Sequence, residues 1–140
     1  MNRAGRVLIV DDEPDLAEGF RQYLEYDGFD VSMHTSLITL PMVVGSLDPD
    51  LILLDLSMPA LSGDALLKAG VHRVLRTDAP VVLFSGRGAR ELSRLAEELG
   101  ADGFLAKEAD PADASRHIAA WVNQRRALQS AGQEARACRI

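Results

Sequence analysis

The chain has 140 residues, 47% of them hydrophobic and 26% charged, which suits one folded domain and argues against a disordered protein. Its 15 Lys and Arg against 21 Asp and Glu give a net charge of -6, which disfavours direct binding to nucleic acid. No apolar run approaches the roughly 18 residues that a membrane helix needs, and the single cysteine, Cys138, cannot form an internal disulfide, so we expect a cytoplasmic protein without membrane insertion.

The first part of the chain alternates between short apolar runs and segments of helical period. Residues 7–10 are apolar throughout and predict a buried strand. Residues 14–26 predict an amphipathic helix with a proline in its first turn. Residues 29–33 alternate apolar and polar side chains, as in a strand near a sheet edge. A helix over 37–47 and a second buried strand over 51–54 follow.

The same alternation continues in the second part of the chain. A helix is predicted over 62–76 with Ser62 as its cap, followed by a buried strand over 81–84. A helix over 88–99 and a short strand over 104–106 come next. The last predicted helix opens at Asp110-Pro111 and reaches roughly Arg126.

Strand and helix therefore alternate five times, which predicts an α/β fold with a doubly wound parallel sheet and helices on both faces. We expect one domain over residues 5–126. Residues 127–140 are small, polar and mildly basic and carry no second motif, so we expect a frayed C-terminal tail. Trp121 lies in the last helix with apolar neighbours and should help to cover the sheet, whereas an exposed Trp121 would indicate a partner surface.

Charged and polar residues follow the predicted strands at the points where those strands end. In an open parallel sheet these ends meet in one crevice, where ligands bind. The residues at the strand ends are Asp11, Asp12, Glu13, Asp55, Ser85, Gly86 and Lys107. We therefore expect several carboxylates, one hydroxyl and one ammonium to converge on a single crevice.

This combination favours phosphoryl chemistry. Two carboxylates about 5 Å apart repel by about 3 kcal/mol at an effective dielectric constant of about 20, and a divalent cation would relieve the repulsion. Ligands that are all oxygen favour Mg²⁺ or a similar hard ion. Lys107 and Ser85 could contact phosphoryl oxygens, and Asp55 could act as a nucleophile that forms an aspartyl phosphate.

The motifs Asp11-Asp12-Glu13, Asp55-Leu-Ser-Met-Pro59, Ser85-Gly86 and Phe104-Leu-Ala-Lys107, each behind its own strand, resemble the receiver domains of two-component response regulators. The resemblance covers about residues 5–126. We expect a stand-alone, single-domain receiver similar to the chemotaxis response regulator. It implies a flavodoxin-like sheet of five parallel strands in the order 2-1-3-4-5.

The resemblance also implies roles for individual residues. Asp55 would accept the phosphoryl group, assisted by Lys107, and Ser85 and Phe104 would form the switch pair. The expected Mg²⁺ ligands are Asp11, Asp12, Asp55 and the backbone carbonyl of Ser57. The family usually follows its lysine with a proline in a cis bond, but Glu108 follows Lys107 here, so the loop is either strained or trans.

The implied partners are a sensor histidine kinase or histidine phosphotransfer protein and a downstream effector protein, and a phosphorylation-linked homodimer is left open. The chain would be a phosphoacceptor that assists its own phosphorylation and dephosphorylation rather than an enzyme. No helix-turn-helix domain is expected after Arg126.

Two alternatives remain. A pseudo-receiver would bind partners without being phosphorylated, an idea suggested by Glu108. A phosphohydrolase of the haloacid dehalogenase type would need an aspartate at the position of Ser57. Asp11 and Asp12 could also be simple turn residues that cap the first helix.

Overall fold

The computed structural model describes residues 4–36, 39–56 and 69–137. Strands and helices alternate through these ranges. In chain order they are β1 (Gly5–Val10), α1 (Pro14–Tyr26), β2 (Phe29–His34), α2 (Leu40–Leu47), β3 (Leu51–Asp55), α3 (Val71–Leu75), β4 (Val81–Ser85), α4 (Ala89–Leu99), β5 (Gly103–Ala106) and α5 (Pro111–Ala137).

The five strands form one parallel sheet in the order β2-β1-β3-β4-β5, which confirms the predicted fold class. The three central strands are buried on both faces because they are apolar at almost every position. β2 lies at one edge of the sheet and is only partly buried beyond Phe29, as its alternating sequence predicts. The register pairs Val10 with Leu54 and Asp55 with Phe84, so the carboxyl ends of the central strands are level.

Each face of the sheet has its own hydrophobic core, because side chains along a strand alternate between the two faces. On one face, Phe20 of α1 and Ile118 of α5 belong to the same core as Ile9, Leu53 and Phe84. The core on the other face is built from strand residues and from α2, α3 and α4. We call these the α1/α5 face and the α2/α4 face.

Two helices differ from their predicted bounds near residues that the structure does not describe. α2 begins at Leu40 rather than at 37, and residues 37–38 lie outside the described ranges. Of the helix predicted over 62–76, the structure describes the last turns, with α3 over Val71–Leu75. The predicted cap Ser62 lies outside the described residues.

The C-terminal helix corrects a prediction. α5 continues to Ala137, where the sequence led us to expect a frayed tail after Arg126. The prediction of a tail rested on the small, polar and mildly basic character of the residues after Arg126. The following residues are mostly Ala, Leu, Gln, Glu and Arg, which are good helix formers, and they include no proline. Helix propensity therefore continues beyond the last residues that pack on the sheet.

A buried arginine fixes α5 to the amino ends of two strands. The guanidinium of Arg125 donates to Asp50 at 3.1 Å and to Asp78 at 3.0 Å, and it lies 3.6 Å from Asp48. Asp48 and Asp50 precede β3, and Asp78 precedes β4. They therefore lie at the amino ends of the strands, at the opposite edge of the sheet from Asp55. The hydrogen bond from Arg125 lowers the pKa of Asp78.

Within the described ranges, no helix combines the length and the apolar character that crossing a membrane would require.

Candidate functional site

Strand alternation brings three of the predicted site residues to the same face of the sheet. Ile9, Leu53 and Leu105 all pack on the α1/α5 face. Asp55, Asp11 and Lys107 lie two residues further along the chain. Asp55 ends β3, and Asp11 and Lys107 directly follow β1 and β5, so the three side chains extend those rows beyond the core. The sequence predicts that these residues meet at the carboxyl edge, and the structure adds which face they share.

Lys107 bridges the two buried carboxylates. Its Nζ lies 3.2 Å from Asp11 Oδ2 and 3.3 Å from Asp55 Oδ2. Both aspartates are buried, whereas the Lys107 side chain is 19% exposed. The ammonium also lies 5.6 Å from the centre of the Phe84 ring, which is itself held edge-on by Phe20. The site therefore has an apolar floor beneath its charged groups, which strengthens their mutual interaction.

The protonation equilibria reflect this crowding. Burial raises the pKa of Asp11, and the neighbouring Asp55 raises it further, against the opposing effects of the Glu13 N–H and Lys107. That N–H donates to Asp11 Oδ1 at 2.9 Å. Burial works against the charge of Lys107, but hydrogen bonding and attraction to Asp11 and Asp55 outweigh it, so the pKa of Lys107 is raised. Lys107 is therefore a stable cation at neutral pH.

The third carboxylate completes a group of oxygen donors suited to a hard cation. Asp12 is exposed, and it offers an oxygen that lies within 4.8 Å of oxygens from Asp11 and Asp55. Three carboxylates against one ammonium leave an excess of negative charge, which a divalent cation would neutralise. Donors that are all oxygen fit Mg²⁺. The predicted fourth ligand, the carbonyl of Ser57, lies outside the described residues.

The predicted switch residues, Ser85 and Phe104, lie on the α2/α4 face, on the neighbouring strands β4 and β5. Ser85 ends β4 and is buried, and its hydroxyl accepts the Arg87 N–H at 3.2 Å. Its carbonyl accepts the Lys107 N–H at 2.9 Å, which joins β4 to the loop that carries the ammonium. Phe104 is partly buried and packs in the core of this face, in register with Leu83. The switch role of the pair stays a prediction.

The loop after β5 is trans at the bond between Lys107 and Glu108, since no peptide bond in the described ranges is cis. A turn follows, in which the Ala109 N–H donates to the Ala106 carbonyl at 3.0 Å. Of the two alternatives left open by the sequence, the trans form is the one found. Lys107 reaches both buried aspartates without the proline that is usual in the family.

Several contacts at the site were not predicted. The side chain of Glu13, one of the residues that follow the first strand, is exposed, and its backbone N–H contacts the site instead. Phe84 was treated as a buried strand residue, and its place beneath Lys107 was missed. This place depends on the strand register that pairs Phe84 with Asp55, which the sequence pattern does not determine.

Comparison with known proteins agrees with this geometry. The family model for the response regulator receiver domain matches residues 7–119. The DNA-binding response regulator MtrA of Mycolicibacterium smegmatis is 34% identical over 121 residues, which cover 85% of this chain and 51% of MtrA. The transcriptional regulatory protein PrrA of Mycobacterium leprae is 30% identical over 129 residues, which cover 92% of this chain and 54% of PrrA. The chain thus spans about half the length of these curated relatives.

Solved structures show the same fold. A CheY-like receiver domain protein from Methanospirillum hungatei superposes with a TM-score of 0.72 at 26% identity, covering 88% of this chain and 97% of that one. Full-length FixJ from B. japonicum superposes with a TM-score of 0.74 at 23% identity, covering 89% of this chain and 60% of FixJ. The chain therefore belongs to the receiver domain family of two-component response regulators.

Proposed function

We propose that Asp55 accepts a phosphoryl group from a sensor histidine kinase or a histidine phosphotransfer protein in a Mg²⁺-dependent reaction. The observation that carries the proposal is the buried Asp55 carboxylate, held 3.3 Å from the Lys107 ammonium beside Asp11 and Asp12. A carboxylate in this position can act as a nucleophile, and the neighbouring cation can stabilise the oxygens of the incoming group. Membership of the receiver family supports a cytoplasmic location for this reaction.

The transfer itself is a displacement at phosphorus. A carboxylate oxygen of Asp55 forms the new O–P bond while the N–P bond of the donor phosphohistidine breaks. The electron pair stays on the ring nitrogen, and the ring leaves as neutral imidazole when its other nitrogen carries a proton. Lys107 then pairs with a phosphoryl oxygen. Asp11, Asp12 and Asp55, with the carbonyl of Ser57, would hold Mg²⁺, which supplies positive charge to the phosphoryl oxygens.

The effect of phosphorylation would be transmitted to the surface through the switch pair, Ser85 and Phe104. A phosphoryl group on Asp55 offers the Ser85 hydroxyl a charged acceptor to donate to, and turning toward it would draw the hydroxyl oxygen away from the Arg87 N–H that donates to it in this structure. Movement of Ser85 frees space on the α2/α4 face, into which the Phe104 ring turns. The exposed surface around α4, β5 and α5 would change and be recognised by an effector protein or by a second copy of the chain.

The test is phosphorylation by a small phosphodonor in the presence of Mg²⁺. We expect one phosphate per chain on the wild type, none on Asp55→Asn, and normal labelling on Asp30→Asn, which removes an exposed carboxylate from the edge strand. Circular dichroism confirms that each variant is folded. Undiminished labelling of Asp55→Asn, or rapid turnover of a phosphomonoester, would reject the assignment.

One observation favours a second candidate, a pseudo-receiver that binds its partners without phosphorylation. Glu108 replaces the proline that usually follows the lysine, and the bond before it is trans. The same labelling assay separates the two candidates. A folded wild type that takes up no phosphate from small donors or from phosphorylated histidine proteins would favour the pseudo-receiver.

A further inference from the structure

Two loops border the mouth of the site on the side of β4 and β5. Ser85 ends β4 and Lys107 directly follows β5, and both would contact the phosphoryl group in the proposed function. Gly86 and Glu108 come next in the chain after these two residues. The residue types at these two positions therefore determine what an incoming phosphodonor meets at the mouth.

Hydrogen bonds hold the two loops together and fix the backbone of Glu108. The Lys107 N–H donates to the Ser85 carbonyl at 2.9 Å. The Ala109 N–H closes a tight turn by donating to the Ala106 carbonyl at 3.0 Å. Lys107 and Glu108 occupy the two central positions of that turn, so the segment that carries Glu108 is anchored beside the end of β4.

The side chain of Glu108 extends from this turn across to Gly86. A Cβ atom built on Gly86 would lie 3.5 Å from Oε1 of Glu108, so the carboxylate is in contact distance of the loop after β4. Glu108 is exposed to solvent. The nearby Arg87 side chain pairs with Glu91 of α4 at 3.4 Å, which directs its positive charge away from the mouth.

The strand register shows how close this carboxylate is to the acceptor. Phe84 is the partner of Asp55 in the register, and Gly86 lies two residues further, about 7 Å along the chain at the rise of a parallel strand. The Glu108 carboxylate is therefore within about one Debye length, roughly 10 Å at 0.1 M salt, of the group that Asp55 would receive. Its charge acts on a donor before screening removes the effect.

We propose that Glu108 determines specificity for the phosphodonor by acting on the charge of the leaving group, an inference that rests on the proposed function of Asp55. In the displacement, the leaving group departs on the side of phosphorus opposite to Asp55, towards the mouth of the site. A carboxylate at the mouth repels a group that departs as an anion, but it does not repel one that departs neutral.

Two classes of donor differ in this property. Acetyl phosphate gives up its phosphoryl group when the P–O bond to the acyl oxygen breaks, and the electron pair leaves with acetate, an anion. Phosphoramidate gives up the same group when its P–N bond breaks, and the protonated nitrogen takes the electron pair and leaves as neutral ammonia. A phosphohistidine whose imidazole leaves neutral belongs with the second donor. Glu108 therefore favours phosphorylated histidine proteins over acyl phosphates.

Initial rates of labelling with acetyl phosphate and with phosphoramidate, both with Mg²⁺, test the proposal. Glu108→Gln should raise the rate with acetyl phosphate about two- to fivefold, as expected for removing one partly screened charge about 10 Å away, and the rate with phosphoramidate by less. The change in the ratio of the two rates should disappear towards about 1 M salt, where the Debye length is about 3 Å.

Two control variants separate charge at the mouth from other effects. Glu108→Asp keeps the charge and should keep the wild-type preference between the donors. Glu97→Gln makes the same substitution at an exposed position of α4, eight residues after the first residue of that helix, or about 12 Å along its axis. It should leave the ratio of the two rates as in the wild type.

The outcomes distinguish this inference from the proposed function. A wild type that is labelled, with the same ratio of rates in Glu108→Gln, overturns the role of Glu108 and leaves Asp55 as the acceptor. An equal change in Glu97→Gln, or a change that persists at high salt, also overturns it, because the effect would then come from net charge or from shape. A wild type that neither donor labels rejects the proposed function and this inference together.

Discussion

Asp11 is subject to opposing influences in the metal-free site. Lys107 and the Glu13 N–H favour its charged form, while burial and the nearby Asp55 favour the neutral form and raise its pKa. Because the folded-state pKa is raised, ionised Asp11 costs stability once the pH exceeds the unfolded-state value of about 3.9, and the cost grows up to the folded-state pKa. At neutral pH, ionised Asp11 therefore lowers the free energy of unfolding of the metal-free protein.

Asp11→Asn should stabilise the protein at pH 7 in the absence of divalent cations. Burial and, to a smaller extent, the neighbouring Asp55 disfavour the charged form of Asp11, so a neutral amide at this position removes a cost of the order of 1 kcal/mol. Urea unfolding with a chelator present measures the gain, which should shrink as the pH falls towards 4. Added Mg²⁺ should stabilise the wild type more than the variant. A variant less stable than the wild type at pH 7 without metal would contradict this account.

Residue positions at strand ends could be predicted well from the sequence, because a parallel sheet brings the residues after Val10, Leu54 and Ala106 to one edge. The role of Arg125 could not. Its partners Asp50 and Asp78 are far from it in the chain and meet it only after the sheet has formed. No local pattern marks an arginine as buried, since arginine is usually exposed.

Among the elements, β5 and α5 are joined by a close contact that depends on a missing side chain. A Cβ atom built on Gly103 would clash with Cζ2 of Trp121, so the indole packs directly on the strand backbone. This contact fixes the distance between α5 and β5, the strand that leads to Lys107.

Gly103→Ala should therefore displace Trp121 and destabilise the protein by about 1 to 3 kcal/mol, as overpacking usually does. Trp121 is the only tryptophan, so its fluorescence emission reports the displacement directly. Gly19→Ala is a suitable control, because a Cβ there meets open space on the surface of α1. Unchanged emission and stability in Gly103→Ala would show that α5 adjusts freely over the strand.

The order and type of the elements followed from hydrophobic periodicity, and the limits of that signal explain the errors. The stripe of apolar residues on α5 ends near Val122, and the pattern offers no sign that the helix goes on. Helix propensity alone carries it to Ala137, and propensity is a weaker guide than burial. The face shared by Asp11, Asp55 and Lys107 required the strand register, which sequence periodicity does not determine.

At the scale of the whole molecule, Arg125 connects α5 to loops from two strands, and its ion pairs give global stability a dependence on acid. The pKa of Asp78 is lowered by Arg125. A lowered folded-state pKa means that the stabilisation is complete above the unfolded-state value of about 3.9 and is lost as the pH falls through the folded-state pKa.

Asp78→Asn should accordingly lose stability at neutral pH, by less than about 1 kcal/mol, because the Asp78 side chain is 85% exposed and solvent screens the pair. The difference between variant and wild type should vanish as the pH is lowered from about 5 to 2, below the ordinary pKa of aspartate. Thermal unfolding across this range measures it. A difference that persists at pH 2 would point to packing rather than charge.

The residues at the two ends of the short strand β3 have different roles. Asp50 precedes β3 and binds Arg125 of α5. Asp55 ends β3 and is the proposed acceptor. At the rise per residue of a parallel strand, the two residues are about 17 Å apart. Over that distance a substitution at one end leaves the electrostatics of the other nearly untouched. The anchoring of α5 at one end of β3 and the chemistry at the other end are therefore electrostatically independent.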